Sequence, residues 1–200
     1  MSDTAFDQHG RHIQVAKSPL DDPDALLATR VVGSEGLSRP FRFVVDFVSS
    51  KPAIPPAQVL GKPMGLMLFG AAQGEVTPTR LVHGRIARWA ELGGGGPRLA
   101  HYRTELVPWF WMLGLSADCR TFEKKSVQEI VEAVCTGAGF TDLRFRLTAS
   151  LPKLEYVAQY QESNFDFVSR LLEEHGLYYA FEFASDKHTL VISDSTGGCR

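Results

Sequence analysis

The stretch from Tyr156 to Phe183 changes its hydrophobic period twice, and this change limits the folds open to the chain. It begins with an imperfect two-residue alternation, which is typical of a strand with one partly buried face. Ser163 and Asp166 then form a pattern resembling a capping box, and apolar residues follow at helical spacing. Gly176 suits the left-handed position that ends a helix, and a second apolar strand follows. The helix side chains expected to face the core are Phe165, Val168 and Leu172.

Before residue 116 the chain shows many strand patterns and no convincing helix. The run Phe41–Phe47 places four apolar side chains on one face, and shorter strand patterns cover residues 12–16 and 26–34. Two long patterns, at residues 79–92 and 99–107, flank the glycine run 93–96 and predict a hairpin. Many strands joined by short turns favour a closed or nearly closed β-barrel.

After residue 116 the pattern becomes mixed. Ser126 and Glu129 form a capping box before an apolar helical repeat, and a second helix begins near Asn164. The predicted fold is therefore β-rich and α+β, with a β-barrel-like domain over residues 1–116. A smaller mixed α+β domain with two short helices follows over residues 117–200, and we expect it to be incomplete at its C-terminus.

The composition is that of an ordinary globular protein and excludes some functions. The formal net charge is −2, and no basic patch favours nucleic-acid binding. The N-terminus lacks the basic and apolar regions of a secretory signal, and no apolar run approaches the about 20 residues of a membrane helix. We therefore expect synthesis in the cytoplasm and no membrane insertion. The three cysteines, Cys119, Cys135 and Cys199, show no metal-ligand or redox spacing, and Cys135 is predicted to be a core residue.

The six histidines contain no HExxH motif and no pair at i, i+4 spacing, which argues against a metal site. His83 and His101 are expected to face each other across the predicted hairpin, and a polar pair on a half-exposed sheet is the favoured interpretation. A hydrolase of unrecognised type is the weaker alternative, and it would use His83, His101 and Glu105.

Other possible sites have structural explanations. Glu173, Glu174 and His175 point in different directions on a helix and are expected to form its solvated face. The aromatic cluster 109–111 is expected to be a packing element, although a ligand platform is the alternative. No GxSxG or GxxxxGK[ST] motif is present. We assign no catalytic, cofactor-binding or metal-binding residues, expect no cofactor, and predict that the chain is not an enzyme.

Three long segments resemble a known family. QYQESNFDFVSRLLEEHGLYYAFE, GSEGLSRPFRF and PWFWMLGLSADCRTFEKKSVQEIV closely resemble the VgrG spike proteins of type VI secretion systems. They resemble, more distantly, the baseplate hub proteins of contractile phage tails. The resemblance covers residues 10–195 in the family's order, so it is more specific than a short motif.

The resemblance implies a mechanical role. In the family this region is the hub-like base of a trimeric spike, which sits on the Hcp tube and carries effectors, some through adaptor proteins, into target cells. It implies export through the type VI apparatus. A full spike continues into further domains, so the chain looks like an N-terminal fragment or a truncated homologue, and any catalytic activity is expected in a C-terminal extension. The alternative is a hub or tail protein of a prophage or phage-derived contractile device.

Overall fold

The computed structural model describes residues 7–72, 75–93 and 99–195. The contacts divide the chain into two units, and each unit contains segments that are distant in sequence. The first unit comprises residues 1–34, 41–107 and 183–188, and the second comprises residues 35–40, 108–182 and 189–200. The sequence predicted two continuous domains that meet near residue 116, and this boundary stays a prediction.

The first unit is built on a six-stranded sheet. Its strands are β1 (Ile13–Lys17), β2 (Leu27–Gly36), β3 (Arg39–Ser49), β4 (Pro63–Ala72), β5 (Glu75–Leu92) and β6 (Ala100–Val107). The spatial order is β1-β4-β5-β6-β3-β2, so β1 and β2 are the edges. A one-turn helix, α1 (Pro56–Val59), lies between β3 and β4.

The core of the first unit follows the alternation of β3. Phe41, Val45 and Phe47 are at most 1% exposed, as the strand pattern predicts. Tyr102 on β6 is also buried, and its hydroxyl accepts from the Ile54 backbone N–H at 3.1 Å and donates to the Lys51 carbonyl at 3.0 Å. These two bonds satisfy the polar end of an otherwise apolar core residue.

The second unit mixes helices with two small sheets. Its elements are α2 (Trp109–Met112), a 3₁₀ turn (Leu113–Leu115), β7 (Ala117–Ser126), α3 (Val127–Gly137), β8 (Leu143–Arg146), β9 (Lys153–Ser163), α4 (Asn164–Glu174), β10 (Tyr178–Phe183) and β11 (His188–Ser193). Strands β10, β11 and β8 form one sheet, in which β11 and β8 are parallel. Strands β7 and β9 form a separate antiparallel pair.

Both predicted helix starts are confirmed. Ser126 and Glu129 form a complete capping box at α3, and the Ser163 hydroxyl accepts from the Asp166 backbone N–H at 3.0 Å. Gly176 follows α4 with a φ of +64°, which is the left-handed conformation expected there. Cys135 is buried on α3, as predicted.

The buried face of α4 is turned slightly from the predicted one. Val168 and Leu172 are buried, but Phe165 is only partly buried and packs against the Phe110 ring at 5.1 Å. Phe167 is fully buried instead, and its ring stacks on Phe122 at 5.8 Å. The prediction for Phe165 was therefore only partly right, because Phe167 and Leu171 lie one turn apart at the centre of the face.

The β-rich α+β class is confirmed, with three differences. The described residues contain four helices, whereas the sequence predicted two. The one-turn helices α1 and α2 were not predicted because they are too short to show a helical repeat of apolar residues. Strand β7 was not predicted. Within the described residues β1 and β2 are not paired, so the sheet is open there and no closed barrel forms. The predicted turn at residues 94–96 and Cys199 lie outside the described residues.

Candidate assembly surface

The two-stranded sheet of β7 and β9 is the most exposed regular structure of the second unit. The strands have 10 and 11 residues and pair in antiparallel register, with Phe122 opposite Val157. In the part of the chain that the structure describes, no third strand pairs with either one. Each strand therefore presents an unpaired backbone edge, which is a template for pairing with another chain.

The inner side of this sheet is fixed by a polar network. The Arg120 guanidinium donates to Gln159 Oε1 and to Asn164 Oδ1, both at 2.8 Å. Gln159 is 1% exposed, and its amide also donates to Asn164 Oδ1 at 2.9 Å. Asn164 in turn donates to the Ser116 hydroxyl at 2.9 Å. The network ties β7 to β9 and to the start of α4.

Replacing Arg120 with alanine should lower the free energy of unfolding by about 1–2 kcal/mol, because Gln159 Oε1 would lose its charged donor inside the fold. Urea denaturation of the wild type and variant measures the difference. The control is Arg144→Ala, which removes an exposed arginine 3.4 Å from Glu182 and should cost less than about 0.5 kcal/mol. Equal losses for the two variants would contradict a structural role for the network.

The outer face of the sheet carries exposed aromatic side chains. Tyr156 is 60% exposed and Tyr160 is 71% exposed, and both lie on β9. Their spacing of four residues was visible in the sequence as part of the strand alternation, although the sequence did not show which face is open. Exposed tyrosines beside an unpaired edge are typical of a contact surface, since tyrosine is enriched in protein interfaces.

A cleft of about 510 Å³ lies between β9 and α4. At this cleft Arg170 donates to Glu162 at 2.7 Å, to Glu174 at 3.1 Å and to the Ala158 carbonyl at 3.3 Å. The hydrogen bond that Arg170 donates to Glu162 is the main cause that raises the pKa of Arg170. Arg170 thus faces two carboxylates, and Glu155 also lines the cleft. The carboxylates at the cleft therefore outnumber its arginine.

The structure separates His83 from His101, and the predicted pairing of these residues is wrong. His101 lies opposite Leu92 near the start of β6, whereas His83 lies beyond the paired end of β6, opposite Gly65 on β4. The reason is the length of β5, whose 18 residues extend past the eight of β6. His83 instead contacts His188.

Glu105, the third residue of the weak hydrolase alternative, is held in ion pairs. Arg42 donates to its carboxylate at 2.6 Å, and Arg88 lies at 3.8 Å. The hydrogen bond from Arg42 is the main cause that lowers the pKa of Glu105. Such a carboxylate stays ionised and engaged by cations, which makes it a poor general acid. His83, His101 and Glu105 do not form one site.

The other residues that the sequence singled out, at the end of α4 and in the aromatic cluster 109–111, do not form a catalytic site together. Glu173 and Glu174 are exposed at the end of α4, and the His175 ring contacts the Leu171 carbonyl at 2.9 Å. In the aromatic cluster, Trp109 and Phe110 are buried and Trp111 is 37% exposed. Trp109 stacks on Phe140 at 5.0 Å, so this cluster packs within the second unit.

Residues 7–72, 75–93 and 99–195 contain no group of three or more His, Cys, Asp or Glu side chains placed to hold a metal ion. The longest helices, α3 and α4, have 11 residues each, and none in that part of the chain combines the length and apolarity needed to cross a bilayer.

Comparison with known proteins gives consistent matches. The type VI secretion system spike protein VgrG1c of Pseudomonas aeruginosa is 41% identical over 192 residues, which cover 96% of this chain and 26% of the relative. VgrG1a of the same organism is also 41% identical, over 89% of this chain and 27% of the relative. Both are named as spike proteins.

A solved structure agrees with these relatives. The E. coli c3393 protein is described as a component of the type VI secretion system with structural similarity to the T4 bacteriophage tail proteins gp27 and gp5. It matches with a TM-score of 0.75 and 26% identity, over 94% of this chain and 50% of that one.

The chain spans about a quarter of the length of the curated relatives it matches. The family described as phage tail baseplate hub (GPD) matches residues 34–200, which is most of the chain. This match includes β7, β9 and α4, the elements that form the exposed sheet and its cleft. The chain belongs to the phage tail baseplate hub (GPD) family.

Proposed function

We propose that this chain forms part of the base of a spike in a contractile injection machine and acts by assembling with other protein subunits. The observation that carries the proposal is the 41% identity with type VI spike proteins over 96% of the chain. A packed β-rich fold suits a mechanical part, since closely packed interiors have low compressibility and transmit strain. We infer that the chain has no catalytic activity of its own.

The exposed sheet supplies a route for assembly. Strand β7 carries the exposed cations Lys124 and Lys125 and the exposed carboxylates Asp118 and Glu123. Strand β9 carries exposed Lys153 and Glu155. Charges of both signs on each edge can pair across a head-to-tail contact between neighbouring hub domains, and such a contact closes into a ring when the rotation allows it. We therefore propose a cyclic assembly, with three copies in the spike.

The remaining partners are proposed from the resemblance to spike proteins. We propose that the assembled base sits on the Hcp tube, that effector or adaptor proteins bind the spike, and that the protein is made in the cytoplasm and leaves through the secretion apparatus. We also propose that residues 1–116 and 117–200 act as two hub domains.

A hub of a prophage or phage-derived device is the second candidate, and the family's description as a phage tail hub favours it. Genes for the tube and sheath of a secretion system beside the reading frame would favour the spike, whereas a tail cassette would favour the phage hub.

A chimeric spike tests the proposed function. This chain replaces the matching segment of the P. aeruginosa VgrG1c protein in a strain that lacks the native gene, and export of the tube protein into the medium is measured. Restored export at roughly the wild-type level is expected, because the segments align over 96% of this chain. A stable chimera that accumulates inside the cell without export of the tube protein would contradict the proposal.

Replacing Tyr156 and Tyr160 together with aspartate should reduce export by the chimera at least about tenfold, since buried interface aromatics contribute about 2 kcal/mol or more. Both side chains are exposed, so folding should be retained, and circular dichroism of the purified chain checks this. The control is Val32→Asp, because Val32 is a 49% exposed apolar residue on β2. Unchanged export by the double variant would exclude this face from the assembly.

A further inference from the structure

Two buried histidines of the first unit contact each other through their Nδ1 atoms. His83 Nδ1 on β5 lies 2.9 Å from His188 Nδ1 at the start of β11. The two residues are 4% and 2% exposed, and the ring centroids are 5.2 Å apart. Neither residue belongs to the exposed sheet described above, so the proposed assembly does not explain the pair.

The short contact sets a condition on protonation. A hydrogen bond between two Nδ1 atoms needs one nitrogen that carries a proton and one that does not. If both rings are fully protonated, two N–H groups point at each other and both rings are cations. The contact therefore requires that at least one imidazole stays neutral, and histidine normally titrates just below neutral pH.

The pair holds the turn between β10 and β11, which the contacts assign to the first unit. At one end of the turn, the Phe183 ring packs on Phe41 at 5.1 Å. At the other end, the edge of the His188 ring meets Phe41 at 5.4 Å. A Cβ atom added to Gly65 would lie 2.5 Å from the Ser185 carbonyl oxygen, so the backbone of the turn is seated directly on β4.

The charged groups around the pair are mostly cations. Arg85 follows His83 on the same strand, Lys17 on β1 donates to the Asp186 carbonyl at 3.3 Å, and Lys187 lies in the turn. Asp186 is the acidic residue of the turn, and its side chain is exposed. From β3 the pair is faced by the apolar Phe41. A second proton on this pair is therefore added close to the positive charge of Arg85, which disfavours the charged form of His188.

Burial, and after it the nearby His83 and Arg85, lower the pKa of His188 from 6.5 to about 3. The folded state thus opposes protonation of this ring. A histidine with a depressed pKa contributes stability that is fully present above about pH 6.5, and this stability is lost as the pH falls toward about 3.

We propose that His83 and His188 form an acid-sensitive latch that keeps the turn 183–188 seated on the six-stranded sheet at neutral pH and releases it in acid. Release separates the Phe183 ring from Phe41 and the His188 ring from His83. The latch is a conformational device of the first unit, and it is independent of the proposed function.

Nuclear magnetic resonance of the full chain with labelled histidine, phenylalanine, tyrosine and tryptophan rings tests whether the turn is released locally. Between pH 7 and 6 we expect the His188 ring signal to stay at its neutral position, because burial lowers the pKa of this ring to about 3. On further acidification, contacts between the Phe183 and Phe41 rings should vanish before the stacked Trp89–Tyr102 contact, which lies elsewhere in the same unit at 4.8 Å. Titration of His188 near pH 6.5 with the ring contacts intact would overturn the latch, and so would simultaneous loss of both contacts.

A variant pair tests the energetics. For one histidine of depressed pKa, the unfolding equilibrium should shift about tenfold per pH unit below 6.5, hence about 100-fold by pH 4.5. The double variant His83→Gln/His188→Gln should lose this dependence, whereas His101→Gln should keep it. An undiminished dependence in the double variant would overturn the proposal. If that variant does not fold, the ring titration above decides.

Discussion

Replacing Phe167 with alanine should lower the free energy of unfolding of the second unit by about 3–5 kcal/mol, the range for phenylalanine removed from a packed core. Phe167 is 0% exposed, and its ring stacks on Phe122 at 5.8 Å with an interplanar angle of 11°. The substitution leaves a cavity between α4 and β7, and it removes the contact that holds the exposed sheet to its helix.

Tryptophan fluorescence during urea denaturation measures this loss. The chain has three tryptophans, and Trp89→Phe leaves only Trp109 and Trp111 as reporters in the second unit. The control in the same background is Tyr160→Ala, which removes a 71% exposed ring and should change the free energy by less than about 0.5 kcal/mol. A loss below about 1 kcal/mol for Phe167→Ala would show that the α4 face is assigned wrongly.

Replacing Gly33 with alanine should destabilise the first unit by about 2–3 kcal/mol through overpacking. A Cβ atom at this position would lie 1.9 Å from Phe43 Cδ1, so the phenylalanine ring must move. The ring has little room, because Phe43 is 6% exposed and packs on Phe41 at 5.5 Å. The cost therefore comes from the neighbouring side chain, and the backbone of Gly33 itself is not strained.

A double-mutant cycle isolates this effect. Phe43→Leu alone should also lower the free energy of unfolding. The loss measured for the double variant Gly33→Ala/Phe43→Leu should be smaller than the sum of the two single losses, because the leucine leaves space for the new methyl group. The matched control is Gly36→Ala on the same strand, where the nearest atom to an added Cβ is 3.9 Å away. Strict additivity of Gly33→Ala and Phe43→Leu, measured by urea denaturation, would contradict the overpacking explanation.

Local patterns predicted the elements that bury one face. The alternation of β3 predicted its core side chains, and the capping residues Ser126 and Ser163 predicted where α3 and α4 begin. These signals are short in range, since a cap or an alternation depends on residues within one turn or one strand. The sequence therefore predicted the β-rich α+β class.

Strand β7 was not predicted from the sequence because it lacks a buried face over most of its length. Apart from Phe122, its side chains are exposed or half-buried, so no apolar alternation marks it. Its partner β9 is partly visible from Tyr156 and Tyr160, yet the sequence could not show that these rings lie on the open side. The exposed sheet thus became evident only from the pairing of the two strands.

The histidine contact shows a second limit. His83 and His188 are 105 residues apart, and no local pattern links them. The sequence instead suggested His101, because it lies on the next strand of the predicted hairpin. Pairing register decides which side chains meet, and register depends on how far β5 extends past β6, which residue patterns alone do not specify.

The number of copies in the assembled particle tests the central claim most directly. Native mass spectrometry of the protein translated from its complete reading frame counts the subunits without labels. The proposed spike base predicts three copies per particle, and the Tyr156→Asp/Tyr160→Asp variant should shift the population toward monomer. A wild-type protein that is folded and remains monomeric at micromolar concentration would contradict an assembly role for this chain.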